Sequence, residues 1–150
     1  MKLMIACRHG HAIGNSLTGP GKQQSSKLAG YIKNKINGAS NISLLASPLQ
    51  RAVETAVIIG KTLGVRHQLC DKLKLIDFKF GQIQMEAILD LAGNSDVVVA
   101  VTHHEAPSGI INAFRQKHFD RGAIPEVIHN GSAICLCMEY GDIRYIYRDY

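Results

Sequence analysis

Apolar and polar positions along this chain fall into two recurring patterns: short continuous apolar runs, and stripes in which apolar residues return every three or four positions. The first run, within Lys2 to Cys7, reads as a short buried strand. Gly10, Gly14, Gly19, Pro20 and Gly21 then form a loop of turn-formers. A helix is predicted from about Lys22, with Leu28, Ile32 and Ile36 on one stripe and Gly38 as its stop. Ile42 to Ala46 is the second strand. Ser47-Pro48-Leu49-Gln50 reads as a helix start: serine caps, proline suits the first helical position, and glutamine three residues on completes a capping box. That helix carries Ala52, Thr55, Ala56, Ile59 and Leu63 and ends at Gly64, with Arg51 in its first turn near the positive end of the dipole.

Val65 to Cys70 is a third strand, and Gln84 to Ala92 a helix stopped by Gly93. Asp96 to Thr102 holds Val97-Val98-Val99-Ala100-Val101, a mostly β-branched run suited to a central parallel strand. Pro107 to Phe119 is helical. Ser132 to Tyr140 and Ile143 to Tyr147 are strands, joined by Gly141-Asp142 as a two-residue hairpin. Alternating strands and helices predict an α/β fold: a three-layer α/β/α sandwich whose central sheet is mostly parallel, with antiparallel strands from the C-terminal part. With no repeat or linker, residues 1–150 read as one domain. Ligands bind such sheets beyond the carboxyl ends of the strands, and Arg8-His9, Ser47 to Arg51 and His103 all fall on that edge.

Composition narrows the function classes. No run of about 18 apolar residues could span a membrane. The apolar start is too short for a signal peptide and meets Arg8 at once, so the expected location is the cytoplasm. Cys7, Cys70, Cys135 and Cys137 read as buried thiols in a reducing compartment. Cys135 and Cys137 lie two residues apart in an apolar run, which is no standard zinc spacing. The net charge of +5 is scattered, without the dense basic run of a nucleic-acid arm, and leans only slightly toward an anionic substrate.

The glycine-rich loop could belong to a nucleotide P-loop ending in Gly21-Lys22. That motif needs glycine at position 16 and serine or threonine at 23, where the chain has Ser16 and Gln23. A phosphoryl-transfer site fits better. Charge spreading over a departing phosphoryl group calls for fixed donors around it. Arg8 and Arg51 offer planar guanidinium donors, and His103 another when protonated. His9, neutral on one ring nitrogen, can attack phosphorus and divide one difficult step into two. This chemistry requires no metal or cofactor. His104 is a one-residue alternative to His103, and Asn15 could be a turn residue. His11, His67, His118 and His129 read as solvated or capping residues.

Several motifs in order carry a resemblance. They are Arg8-His9-Gly10 after the first strand, then Asn15, then Leu17-Thr18-x-x-Gly21-x-x-Gln24-Ser25. Ser47-Pro48-Leu49-x-Arg51-Ala52-x-x-Thr55-Ala56, Val101-Thr102-His103 and Asn130-Gly131-Ser132-Ala133-Ile134 complete the set. It resembles the histidine phosphatase superfamily, the phosphoglycerate mutase-like group. The resemblance implies a phosphatase with His9 as nucleophile, Arg8, Asn15, Arg51 and His103 around the phosphate, and a carboxylic acid before a Phe-Gly pair. Phe80-Gly81 places Asp77 where many members carry glutamate, and the tryptophan often found after that glycine is missing; Glu105 competes for the role. The length is similar to compact members such as SixA-type phosphohistidine phosphatases, while Asn15 and Asp77 lean toward small-molecule phosphomonoesterases. Mutase activity is not expected, because little chain remains to enclose a bisphosphorylated substrate. The expected partner is a phosphorylated small molecule or phosphoprotein, with no nucleic acid and no membrane. Alternatives are a phosphate-binding regulatory protein with weak turnover, and a phosphotransfer protein carrying its own phosphohistidine. Specificity would lie in Gly81 to Gln84 and Ala106 to Pro125; substrate and oligomeric state stay open.

Overall fold

The computed structural model describes residues 1–74, 81–121 and 127–146. Asp77 and Phe80, on which the acid assignment rests, lie outside these ranges. The elements in chain order are β1 (Leu3–Arg8), β2 (Ala12–Ile13), β3 (Ser16–Leu17), α1 (Gly19–Lys35), β4 (Ile42–Ala46), α2 (Gln50–Leu63) and β5 (His67–Leu69). After a 3₁₀ turn at Asp71–Lys74 come α3 (Gln82–Ala92), β6 (Val97–Thr102), α4 (Ala106–Phe119), β7 (Ala133–Cys137) and β8 (Ile143–Ile146). Six strands form one sheet in the order β5-β4-β6-β1-β7-β8. The first four run parallel, and β7 lies antiparallel to both β1 and β8.

Period-two alternation between two covered faces explains why β1 and β6 are apolar up to their last residues, Arg8 and Thr102. Ile5, Cys7, Val97, Val99 and Val101 face α1 and α2, meeting Leu28, Ile32, Ala52, Ala56 and Ile59. Met4, Ala6, Val98 and Ala100 face α3 and α4, meeting Met85, Ile88, Ile110, Ile111 and Phe114. The sheet is therefore covered on both sides by helices, which is the expected three-layer α/β/α arrangement.

Three local expectations need correction. Ser47 does not cap α2: the helix starts at Gln50, its N-cap is Leu49, and no side chain among the described residues caps it. Ser47 instead stays beside the sheet, its N–H donating to the Val101 carbonyl (3.0 Å) and its hydroxyl bonded to His103. Gln50 turns to Ser16 and Glu54. The second correction concerns the C-terminal hairpin. Its connection runs over Met138 to Asp142, because the ladder ends where Cys137 N–H meets the Asp142 carbonyl (2.9 Å) and Gly141, at φ +76°, turns the chain. Finally, the first glycine-rich loop is not featureless. It contains the β2–β3 hairpin with Gly14 (φ +61°) at its tip, and α1 starts before Lys22 because Thr18 Oγ1 accepts from Gly21 N–H at 3.1 Å.

The start of α1 is pressed against the turn after β1. A Cβ on Gly21 would collide with the His11 carbonyl, and one on Gly10 would meet the Gly21 carbonyl and Ser25 Oγ. Both glycines are therefore required for close approach rather than for φ. Gly21→Ala is expected to destabilise the fold by about 1–3 kcal/mol, the range for overpacking, and to lower turnover as the turn carrying His9 shifts. Urea unfolding of the purified variant, alongside its kinetics, checks both.

Candidate active site

β4, β6 and β1 are neighbours in the sheet and run in the same direction, so their carboxyl ends deliver Ser47, His103 and His9 side by side. The backbone holds them there: His9 N–H donates to the Thr102 carbonyl at 3.1 Å, and Gly131 N–H donates to the carbonyl of His9 at 3.0 Å. Asn130 Nδ2 adds a further bond to the His9 carbonyl at 3.2 Å. Gly10 N–H donates to Thr55 Oγ1 (3.1 Å), whose hydroxyl donates to the Arg51 carbonyl (2.9 Å). The turn carrying the histidine is thereby locked to the first turns of α2.

His9 is buried, at 5% exposure. Its Nδ1 lies 2.7 Å from the Gly10 carbonyl. A carbonyl only accepts, so the ring hydrogen sits on Nδ1 and the lone pair on Nε2. Arg51 Nε donates to that Nε2 at 3.2 Å, consistent with the same tautomer. Burial pushes the His9 pKa down to about 4; the bond to the Gly10 carbonyl opposes the shift, and the charges of Arg51, Arg8 and His104 add to it. At neutral pH, His9 is an uncharged imidazole with one available lone pair.

His103 is fully buried, its ring 5.2 Å from that of His9 and tilted by 58°. Burial, then the neighbouring His9, Arg51, His104 and Arg8, pushes its pKa down to about 3. The expectation of a donor that acts when protonated is thereby corrected: before any anion enters, His103 is neutral. Its Nε2 lies 2.7 Å from Ser47 Oγ, whereas its Nδ1 is buried without a hydrogen-bond partner among the described residues.

Arg8, the last residue of β1, donates from Nη1 to the Ile128 carbonyl (2.9 Å), and its Nη2 lies 3.4 Å from His104 Nδ1. Asn15, exposed beside the tip of the β2–β3 hairpin, accepts from Arg51 Nη1 at 3.5 Å. Glu54 fastens that hairpin by accepting from Leu17 N–H at 2.9 Å, and this bond is the main cause holding its carboxyl below the usual range. Of the residues expected at the site, the structure brings together Arg8, His9, Asn15, Arg51 and His103. Glu105 occupies the N-cap position of α4, half-buried, and among the described residues its side chain has no hydrogen bond to this group. His104 resolves the register: it is exposed and adopts φ +41°, uncommon for a residue with a Cβ, while its neighbour turns inward. His11 bonds Thr18 and His118 stacks on Phe114, both in local surface roles. Reading the sequence missed the supporting residues Ser47, Thr55 and Glu54. Ser47 and Thr55 stand inside the Ser-Pro-Leu-x-Arg motif segment, which was the available signal.

The model of the histidine phosphatase superfamily (branch 1) matches residues 5–87. No curated protein matches by sequence. Among solved structures, the protein histidine phosphatase SixA complexed with tungstate is similar at TM-score 0.67 and 16% identity, covering 97% of this chain and 94% of that one. A phosphoserine phosphatase variant from Entamoeba histolytica in complex with phosphoserine gives 0.64 at 17% identity, covering 97% and 95%. The mycobacterial glucosyl-3-phosphoglycerate phosphatase with VO3 gives 0.63 at 16% identity, covering 97% of each chain.

Proposed function

Because this chain belongs to the histidine phosphatase superfamily (branch 1), we propose that it hydrolyses phosphomonoesters, or protein phosphohistidine, through a phosphohistidine formed on His9. The observation that carries this reading is the pair of bonds that fix His9. Nδ1–H is committed to the Gly10 carbonyl, and Nε2 faces the guanidinium of Arg51. An entering phosphoryl group takes over the Arg51 donor onto one of its oxygens and presents phosphorus to the Nε2 lone pair. The N–P bond forms as the ester P–O bond breaks, and the leaving oxygen keeps the electron pair and takes a proton from a carboxylic acid. Water then attacks phosphorus, returns a proton to that carboxylate, and releases phosphate as the P–N bond breaks. Arg8, Arg51, Asn15 and His103 bind the phosphoryl oxygens. These fixed donors supply the charge stabilisation that metal ions supply in other phosphoryl-transfer sites, so turnover is expected to persist in chelator.

Asp77 is proposed as the acid, with Glu105 as the alternative. The leaving group tests this. Asp77→Asn should scarcely affect hydrolysis of p-nitrophenyl phosphate, whose leaving group needs no proton. It should slow an alkyl phosphate by about 10²-fold or more. An equal loss on both substrates, or the same pattern in Glu105→Gln and not in Asp77→Asn, overturns the assignment. The reading as a whole is tested by incubating the protein with p-nitrophenyl phosphate. Sustained turnover supports a phosphatase; phosphate binding without turnover supports a regulatory protein of the same fold instead.

A further inference from the structure

Ser47 lies at the carboxyl end of β4, fully buried, in a position the sequence offered as a helix cap. Its hydroxyl has two contacts. Leu49 N–H donates to Oγ at 3.3 Å, and His103 Nε2 lies 2.7 Å away. A serine hydroxyl has one hydrogen to donate and lone pairs to accept. Were His103 to donate from Nε2, Oγ would accept twice and its own hydrogen would be left buried with no acceptor among the described residues, a costly arrangement. With Ser47 donating to Nε2, the hydroxyl and Nε2 are both satisfied, and only Nδ1 is left without a partner among the described residues. The hydrogen of the neutral ring then belongs on Nδ1, the nitrogen that is buried and has no partner among the described residues.

We infer that Ser47 is a positioning residue that holds His103 in the Nδ1–H tautomer, so that a neutral N–H donor faces the phosphoryl group at the His9 site. This rests on the phosphatase reading for what the donor does, and on hydrogen-bond geometry alone for where the hydrogen sits. It also separates the two histidines by role while giving them the same tautomer. In His9 the Gly10 carbonyl draws the hydrogen to Nδ1 and leaves the lone pair on Nε2; in His103 the Ser47 hydroxyl occupies the lone pair on Nε2 and leaves the N–H on Nδ1. A neutral donor suits its surroundings, because Arg8 and Arg51 already place two cations beside it and His9 must stay uncharged. No proton has to be taken up before substrate arrives.

The direct test is ¹⁵N NMR of histidine-labelled protein at neutral pH, with His103 assigned by comparison with His103→Gln. The inference expects a pyrrole-type Nδ1 and a pyridine-type Nε2 for His103 in the wild type. In Ser47→Ala it expects a shift toward the Nε2–H form, a roughly 10²-fold lower kcat on p-nitrophenyl phosphate with KM little changed, and substantial recovery in Ser47→Thr. An Nε2–H tautomer in the wild type overturns it, whether or not the variants fold. Loss of activity in Ser47→Ala with the wild-type tautomer retained also overturns it, since that outcome marks a packing role. Absence of turnover in the wild type with the Nδ1–H form present contradicts the phosphatase reading and leaves the assignment of the hydrogen standing.

Discussion

His9→Ala is expected to abolish turnover of phosphomonoesters, with kcat lower by roughly 10⁴–10⁶, the scale at which loss of a covalent nucleophile is felt. Three features fix the expectation. The ring is buried and held at both its nitrogens, which fixes its Nε2 toward the Arg51 guanidinium. Its depressed pKa keeps the lone pair free at neutral pH. His103, the nearest ring, is oriented by Ser47 through Nε2 and presents a different edge. Binding should survive, because Arg8, Arg51 and His103 remain. Inorganic phosphate is therefore expected to protect His9→Ala against thermal unfolding about as well as it protects the wild type. His118→Ala is the control: this ring stacks on Phe114 in the last turn of α4, about 18 Å along the helix from the end that faces the site. It should retain wild-type rates. A His9→Ala protein that still turns over above background would remove His9 from the mechanism.

The second large effect belongs to Arg51. Its Nε contacts the nucleophilic nitrogen and its Nη1 contacts Asn15, so one guanidinium spans the mouth of the site from the helix to the hairpin. Arg51→Ala is expected to lower kcat/KM by about 10²–10³, as for other removals of a fixed donor to developing negative charge. Arg51→Lys should recover little, because an ammonium cannot reproduce two donors held in one plane. The same substitution has a pH signature. Burial is the largest cause of the low His9 pKa, and the positive charge of Arg51 is a further, smaller one. Since a nearby cation disfavours the imidazolium, removing it must move the His9 titration upward from about 4, part of the way toward 6.5. NMR titration of His9 in wild type and Arg51→Ala checks the sign. A midpoint that stays fixed or falls would mean that Arg51 does not act on His9 as the geometry requires.

Much of this architecture was legible because each buried element carries a strong periodic signal. β4 was predicted to the residue, since Ile42 to Ala46 is bounded by Asn41 and Ser47-Pro48. β6 was legible as a central strand because helices on both faces demand apolar side chains of both parities. The site followed from topology: three adjacent parallel strands had to bring their carboxyl ends together. What could not be read has physical reasons as well. β2 and β3 are two residues each, too short to carry a period. Ser47 had two competing uses for one hydroxyl, and the local capping pattern pointed to the wrong one; only the arrival of His103, 56 residues later in the chain, decides between them. The positive φ of His104, which separates it from His103, is a backbone property with no sequence pattern of its own. The protonation of His103 depended on burial, which the count of nearby cations did not reveal.

The central claim is that phosphate passes through His9, and the most direct measurement is a rapid acid- and alkali-quench of the wild-type protein during turnover, followed by mapping of any phosphorylated residue. The account predicts a phosphoryl group that survives alkali, is lost in acid, and sits on His9, forming and decaying at rates compatible with kcat. Turnover with no covalent phosphate at any time, or with the phosphate on another residue, would contradict it.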